Sequence, residues 1–356
     1  MFIATVTDLH LRGKDLEACR AQLRALTQAL QARNCAHICF AGDVFDSVNV
    51  GDKYASTGGI LRIVDEFMFV HGKRQFSVIY GQHDAPGAVW VPATALFDVR
   101  DNVDVRHCPD IGLFGNADDG FVRVVFLPWQ WEGNADEIVL DLLDGKNSDL
   151  LIGHCHVKGA RLNGQAYAPH FHDPKPGAWD WSLSRETLSR FRHVALGDFH
   201  CRQELVPGVG GYVGAFRQCN FGEEGNPQGF EVWDSETNDT EWVELEAAPR
   251  HKTWVVDVDH PAPTVDEMSG WIPRVIYADN YDRVEAQRMA EAGVKVEREP
   301  ERKERIVRAV VDATAPRATI RQWAEMQVPA FDAKRIALAE KEYDRIMGAQ
   351  HETTAP

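Results

Sequence analysis

Phe2-Ile3-Ala4-Thr5-Val6-Thr7-Asp8-Leu9-His10 sets a pattern that the chain repeats four more times, an apolar run of strand type that delivers a short polar block. The later blocks are Gly42-Asp43-Val44-Phe45-Asp46, Gly81-Gln82-His83-Asp84, Gly153-His154-Cys155-His156 and Gly197-Asp198-Phe199-His200. The runs before them, Ala36–Ala41, Phe76–Tyr80, Asp149–Ile152 and His193–Leu196, read as buried strands. Helices separate the first three runs. One spans 15–33, with Leu16, Leu23, Leu26 and Leu30 at helical spacing. The other spans about 59–71, with Leu61, Ile63, Val64, Phe67 and Met68 on its core face. The order β-α-β-α-β predicts a parallel sheet with right-handed crossovers. All five blocks then fall at strand ends, where an α/β sheet gathers its ligands.

Carboxylate oxygens mixed with imidazole nitrogens suit Mn, Fe or Zn, and seven or eight such groups suit two ions better than one. Asp8 and His10 can reach one cation if the chain curls as it leaves the sheet. Asp43 follows a glycine that allows a tight turn, so its carboxylate can bridge two ions, whereas Asp46 reads as a loop or helix cap. In Gly81-Gln82-His83-Asp84 the amide oxygen is a ligand, the imidazole a proton donor, and the carboxylate after it can orient that ring. Histidines two apart point to opposite faces of a regular strand. His154 is therefore taken as the ligand and His156 as a neighbour of the metals or substrate. Asp198 and His200 lie past Gly197 in a turn, from which both can reach the metals. His37, His71, His107 and His193 stand outside any block and read as structural.

At 356 residues, 44% hydrophobic and 26% charged, the composition is that of a soluble globular protein. No run approaches the roughly 20 apolar residues of a membrane helix. The N-terminus runs straight into a ligand block, with no signal peptide before it. Seven cysteines scattered without CxxC spacing point away from a disulfide framework and toward a reducing cytoplasm. A net charge of −16 weighs mildly against an unaided nucleic-acid binder, although metal cations and a basic partner can supply positive charge locally.

Further strands are expected at Val103–Val105 and Val122–Leu127, helices at Asp136–Leu143 and Ser182–Arg190, and antiparallel hairpins between Leu205 and Leu245. Residues 161–181 read as a long functional loop. A small α/β unit follows near residue 250, with a further strand at Val307–Val311. Helices at Ala318–Met326 and Asp332–Met347 complete the chain before a frayed tail.

In their order the blocks resemble those of the calcineurin-like metallophosphoesterases, with Asp-x-His, Gly-Asp-x-x-Asp, Gly-Asn-His-Asp, Gly-His and Gly-His-x-His. Val194–Gln203, His154 with Val157-Lys158-Gly159-Ala160, Tyr212–Ala215, Asn220–Glu223 and Gln228–Phe230 make the chain more similar still to the SbcD branch, the nuclease subunit of the SbcC–SbcD complex and its phage relatives. The resemblance implies an α/β fold, a β-sandwich flanked by helices, over 1–248. It also implies a capping domain over 249–313, an ATPase-binding helical segment over 314–348 and a tail over 349–356. One ion would be held by Asp8, His10, Asp43 and His200. A second would be held by Asp43, Gln82, His154 and Asp198, with His83 beside the scissile phosphate and Asp84 orienting it. Two departures fall on the second site: Gln82 stands where the family has Asn, and Asp198 where it has His. An anionic oxygen there favours Mn or Mg over softer metals.

The implied activity is Mn-dependent DNA hydrolysis in end processing, recombination or repair. Mg, Fe and Zn are alternative metals, an SbcC-like ATPase the partner and a homodimer the assembly. The ATPase contact would fall on Ile320, Trp323, Met326, Ile336, Leu338 and Ile346. Two other readings use the same ligands: a stand-alone phosphodiesterase or phosphatase for small nucleotides, and a non-catalytic scaffold.

Overall fold

The computed structural model describes residues 1–46, 57–84, 97, 100–116, 120–162, 165–166, 181–247, 249–257, 259–277 and 283–298. The expected strand at 307–311, the helices at 318–347 and most of the 161–181 loop lie outside these residues. In chain order the first elements are β1 (Phe2–Val6), α1 (Leu16–Arg33), β2 (His37–Ala41), α2 (Thr57–Val70), β3 (Gln75–Ile79), β4 (Val103–Arg106), β5 (Asp110–Asn116) and β6 (Gly120–Leu127). Then come α3 (Ala135–Leu143), β7 (Ser148–His154), β8 (His156–Val157), β9 (Arg161–Leu162), β10 (Gln165–Ala166), β11 (Ser182–Leu183), α4 (Arg185–Leu188) and β12 (Phe191–Gly197). The hairpin strands β13 (Gln203–Val206), β14 (Gly210–Tyr212), β15 (Gly229–Asp234) and β16 (Thr240–Glu244) follow.

Two six-stranded sheets result, in the orders β16-β15-β1-β2-β3-β4 and β13-β14-β12-β7-β6-β5. In the first, β1 to β4 are parallel, with β15 and β16 antiparallel at one side. In the second, β6, β7, β12 and β14 are parallel, and β5 and β13 are antiparallel edges.

Alternation along the strands builds the layers, because successive side chains face opposite ways. In β2, Ile38 and Phe40 join one core with α1 and α2, while Cys39 and Ala41 join another with Ile152, Ala195 and Phe126 of the second sheet. In β7, Leu150 and Ile152 face that shared core, while Leu151 packs with Val139 and Leu188 of α3 and α4. The two six-stranded sheets and their helices thus form a helix–sheet–sheet–helix sandwich, and strands covered on both faces read as continuous apolar runs.

Two local readings change. The helix expected over Ser182–Arg190 is confined to Arg185–Leu188, because Ser182 and Leu183 pair with His156 and Val157 as a parallel two-stranded ladder. Strand β5 had no alternation to announce it: Gly112 and Gly115 interrupt it, and Leu113 is exposed.

Beyond β16 come β17 (Arg250–Val256), α5 (Val265–Met268), β18 (Trp271–Tyr277), α6 (Arg283–Glu291) and β19 (Lys295–Arg298), with β17, β18 and β19 forming one sheet. The chain divides into two compact units, one of residues 1–254 with 263–274, the other of 255–262 with 275 onward. Among the described residues of the latter, Val256, Val275, Tyr277, Ala286, Met289 and Val294 are the buried apolar ones. Among the described residues no helix is long and apolar enough to cross a membrane.

His37, read as structural, lies between the sheets, stacked on Phe114 with ring centroids 3.5 Å apart and bonded to the Ser77 hydroxyl at 3.0 Å. Burial pushes its pKa down to about 3. The unfolded chain takes up this proton below about pH 6.5 and the folded chain does not, so stability is lost as pH falls from there toward 3. Between pH 7 and pH 5 this group should cost about 2 kcal/mol. In urea denaturation a His37→Leu variant should therefore gain about that much on the wild type over the same interval; parallel pH profiles would contradict it.

Candidate metal centre

The parallel register sets the five blocks side by side. β1 lies against β2, β2 against β3, and β7 against β12 with Gly197 opposite His154. Past the strand ends the chains stay tied: Asp8 N–H donates to the Gly42 carbonyl, His10 N–H to Asp43 and Leu11 N–H to Val44. The curl needed to aim neighbouring side chains inward is made by left-handed backbone. Asp8, His10, Asp43 and Asp198 have φ of 51°, 42°, 48° and 100°. Outside glycine such values are uncommon and carry strain of order 1–3 kcal/mol each, which a surrounding fold must hold.

Two glycines make the close packing possible. A Cβ on Gly42 (φ 88°) would lie 2.1 Å from His154 Nδ1, and one on Gly81 would lie 2.0 Å from Asp43 Oδ1. Gly81 therefore lets the turn after β3 close onto the carboxylate after β2.

Asp43 lies at the centre. Its Oδ2 is 3.5 Å from His154 Nε2, 3.7 Å from His10 Nε2 and 3.9 Å from His83 Nε2, and its Oδ1 accepts the His83 N–H at 2.8 Å. On one side His10 Nε2 and His200 Nε2 face each other at 3.1 Å, with Asp8 Oδ1 3.8 Å from His200. On the other, Asp8, Asp43 and His154 bring one ligand atom each to within 4.8 Å of one another. Asp198 is tied in through its N–H, which donates to both Asp8 carboxylate oxygens at 3.1 and 3.3 Å. His156 Nε2 approaches Asp198 Oδ2 at 3.3 Å.

Asp8, His10, Asp43, His154 and Asp198 are buried, while the His83 side chain is 42% exposed on the open side. Gln82 sits half-buried in the turn between Gly81 and His83. Asp84 is fully buried and accepts the N–H groups of Val44, Phe45 and Gly81, tying the two loops together. The His83 ring is held instead by the Asp46 carbonyl, 2.9 Å from its Nδ1. Glu223 lies outside the five blocks; buried beside His200, it meets that ring's Nδ1 at 2.9 Å. Cys219 also joins His10 and His200 in a group of potential ligand atoms.

The donor set is short of positive charge. Among the described residues no Lys or Arg pairs with Asp8, Asp43 or Asp198. Burial lifts Asp8, and it lifts Asp198 to about 7 with help from Asp8 and Asp43. Asp84 is likewise raised to about 7 by burial and then by Asp43. Burial works against a charged His154, yet Asp43, Asp8 and Asp198 outweigh it and raise the ring to about 10. Burial also pushes Asp43 up, but the imidazoles of His154, His10 and His83 hold it well below the carboxylate range. His154 donates Nδ1–H to the Ala41 carbonyl at 2.9 Å, and its buried Nε2 has no hydrogen-bond partner. Imidazole lone pairs and carboxylates turned toward one another without a counter-charge fit divalent metal ions.

Donors at the C-terminal ends of parallel strands define the class: an α/β sandwich of two mixed sheets carrying a candidate centre for divalent metals. The chain is similar to exonuclease subunit 1 of Enterobacteria phage T4, with 27% identity over 169 residues, which is 48% of this chain and 42% of that protein. The match thus spans less than half the length of the relative. No family model matches the chain. Solved structures similar to it include an archaeal phosphodiesterase (13% identity, 69% of this chain and 100% of that one, TM-score 0.35). A Thermus thermophilus protein (13%, 68% and 98%, 0.40) and Plasmodium GAP50 (10%, 69% and 89%, 0.37) are two more.

Gly42→Ala should leave a folded protein by circular dichroism but lower its affinity for a divalent cation, by calorimetry, about tenfold or more, since the added methyl displaces His154. Unchanged affinity would show that His154 takes no part.

Proposed function

We propose that this protein is an Mn-dependent DNA nuclease subunit that hydrolyses phosphodiester bonds in DNA end processing, recombination or repair, working in the cytoplasm with an SbcC-like ATPase. The observation that carries the reading is the convergence on Asp43 of three imidazoles from separate strand ends, at 3.5–3.9 Å. Asp8, His10, Asp43 and His200 would hold one ion, and Asp43, Gln82, His154 and Asp198 a second. Bound there, divalent ions would supply Lewis-acid chemistry, activating a water and offsetting negative charge on the phosphate.

The chain's own groups supply the rest. His83, half-exposed on the open side with its Nδ1 fixed by the Asp46 carbonyl, presents Nε2 to the scissile phosphate and protonates the leaving oxygen. Asp84 holds that turn in place through three backbone N–H groups. Arg161 lines a cavity with Asp198, His200 and Glu223 and offers a cation to the phosphate backbone. Trp131, 52% exposed and edge-on to Trp129 at 5.8 Å, offers an aromatic face on which a base can stack. Residues 1–248 would be the nuclease domain, 249–313 a capping domain and 314–348 the helices that bind the ATPase, in a homodimer. The phage exonuclease subunit supports the DNA reading.

The net charge of −16 favours a second reading, a stand-alone phosphodiesterase or phosphatase for small nucleotides. Two substrates separate them. With Mn and the ATPase present, the protein should degrade double-stranded DNA ends, and His83→Ala should lower that rate about 10²–10⁴-fold. Cleavage of bis-p-nitrophenyl phosphate with none of DNA would establish the second reading, and inertness on both would refute each.

A further inference from the structure

Every imidazole that offers Nε2 to a metal is governed by what holds its Nδ1, because that partner fixes the tautomer and the basicity of the opposite nitrogen. His154 and His200 differ in this respect. His154 Nδ1 donates to a neutral carbonyl, that of Ala41. His200 Nδ1 meets a carboxylate oxygen of Glu223 at 2.9 Å. Glu223 is 5% exposed and held from two further directions: its Oε2 accepts the Cys219 N–H at 2.7 Å and its Oε1 the Asn220 amide at 2.5 Å. It closes a one-turn 3-10 helix, Phe221–Glu223, in which the Gly222 N–H donates to the Asn220 side chain. The carboxylate is thus a fixed fitting behind the ring, which leaves the His200 Nε2 lone pair directed at His10 Nε2, 3.1 Å away.

We infer that Glu223 is a positioning residue that makes the His10–His200 side of the centre the tighter metal site, so that the two ions bind in unequal steps. A carboxylate behind an imidazole strengthens its donor nitrogen more than a carbonyl does. The weaker step belongs to the side where a carbonyl backs His154, the side to which the two-ion reading gives Gln82 and Asp198 as ligands. The inference rests on the two-ion reading above.

The test is Mn titration of the full chain by calorimetry, with the electron paramagnetic resonance signal of protein-bound Mn recorded at each ratio. The wild type should show two steps. Glu223→Gln, which removes the charge and keeps an acceptor for the ring, should weaken the tight step 10–100-fold and leave the weak one in place. The melting temperature of the metal-free protein, read alongside, should stay close to the wild type. A tight step unmoved by the substitution, or both steps weakened together with a lowered metal-free melting temperature, would overturn the role given to Glu223. A wild type that binds one ion only would overturn the two-ion reading instead. Should the Gln variant not fold, Glu223→Asp, which keeps the charge but draws it back from His200, reads the same shift.

Discussion

A carboxylate buried to 1% exposure with imidazoles on three sides is the constraint to which the rest of the structure answers. Asp43 can occupy that position only because β2 is central in its sheet, with β1 and β3 hydrogen-bonded on either side of it and His154 arriving from the second sheet. Its own backbone turns left-handed to aim the side chain inward, and Gly81 leaves room for it. The apolar layer between the sheets works to the same end. Cys39, Ala41, Ile152 and Ala195 fix the sheets together directly beneath the site, so the loops above them inherit a rigid base.

The parallel sheets were legible because doubly covered strands have no polar alternation to hide them, and a glycine-led polar block ends four of the five. Convergence of the blocks followed from topology. What stayed hidden depended on contacts made far along the chain. His83 and Asp84 are adjacent, which suggests that one serves the other. In the fold Asp84 turns away to three backbone N–H groups, and a carbonyl from the previous block takes the ring. Glu223 belongs to a stretch that carries the family resemblance, with nothing in its spacing to tie it to a block. That its carboxylate lies behind His200, 23 residues earlier, is decided by the return of the chain through β13 and β14. Strand β5 escaped notice because two glycines and exposed Leu113 erase its alternation.

The left-handed residues separate structure from chemistry in a way sequence spacing cannot. Asn34 and Asp144 end α1 and α3 in the left-handed region, a common way to stop a helix. Asp8, His10, Asp43 and Asp198 end no helix. Their strain is maintained by hydrogen bonds from one block to the next, as with Asp198 N–H on Asp8, and strain kept up in this way belongs to sites that must hold a geometry before a ligand arrives.

The acidic chain and the proposed anionic substrate are compatible once charge is counted locally. On the two-ion reading, Asp8, Asp43, Asp198 and Glu223 bring four negative charges to the centre and two divalent cations bring four positive ones, so the carboxylates are neutralised locally. Arg161 stands at the adjoining cavity. Fields of this kind act over short range in salt, with a screening length of about 8 Å under physiological conditions. A phosphate at the site therefore feels the centre and Arg161 more than the distant acidic surface. Burial without a counter-charge raises Asp8 and Asp198 in pKa, while the neighbouring carboxylates raise His154: positive charge is what the arrangement demands, and protons or metal ions are the two ways of supplying it.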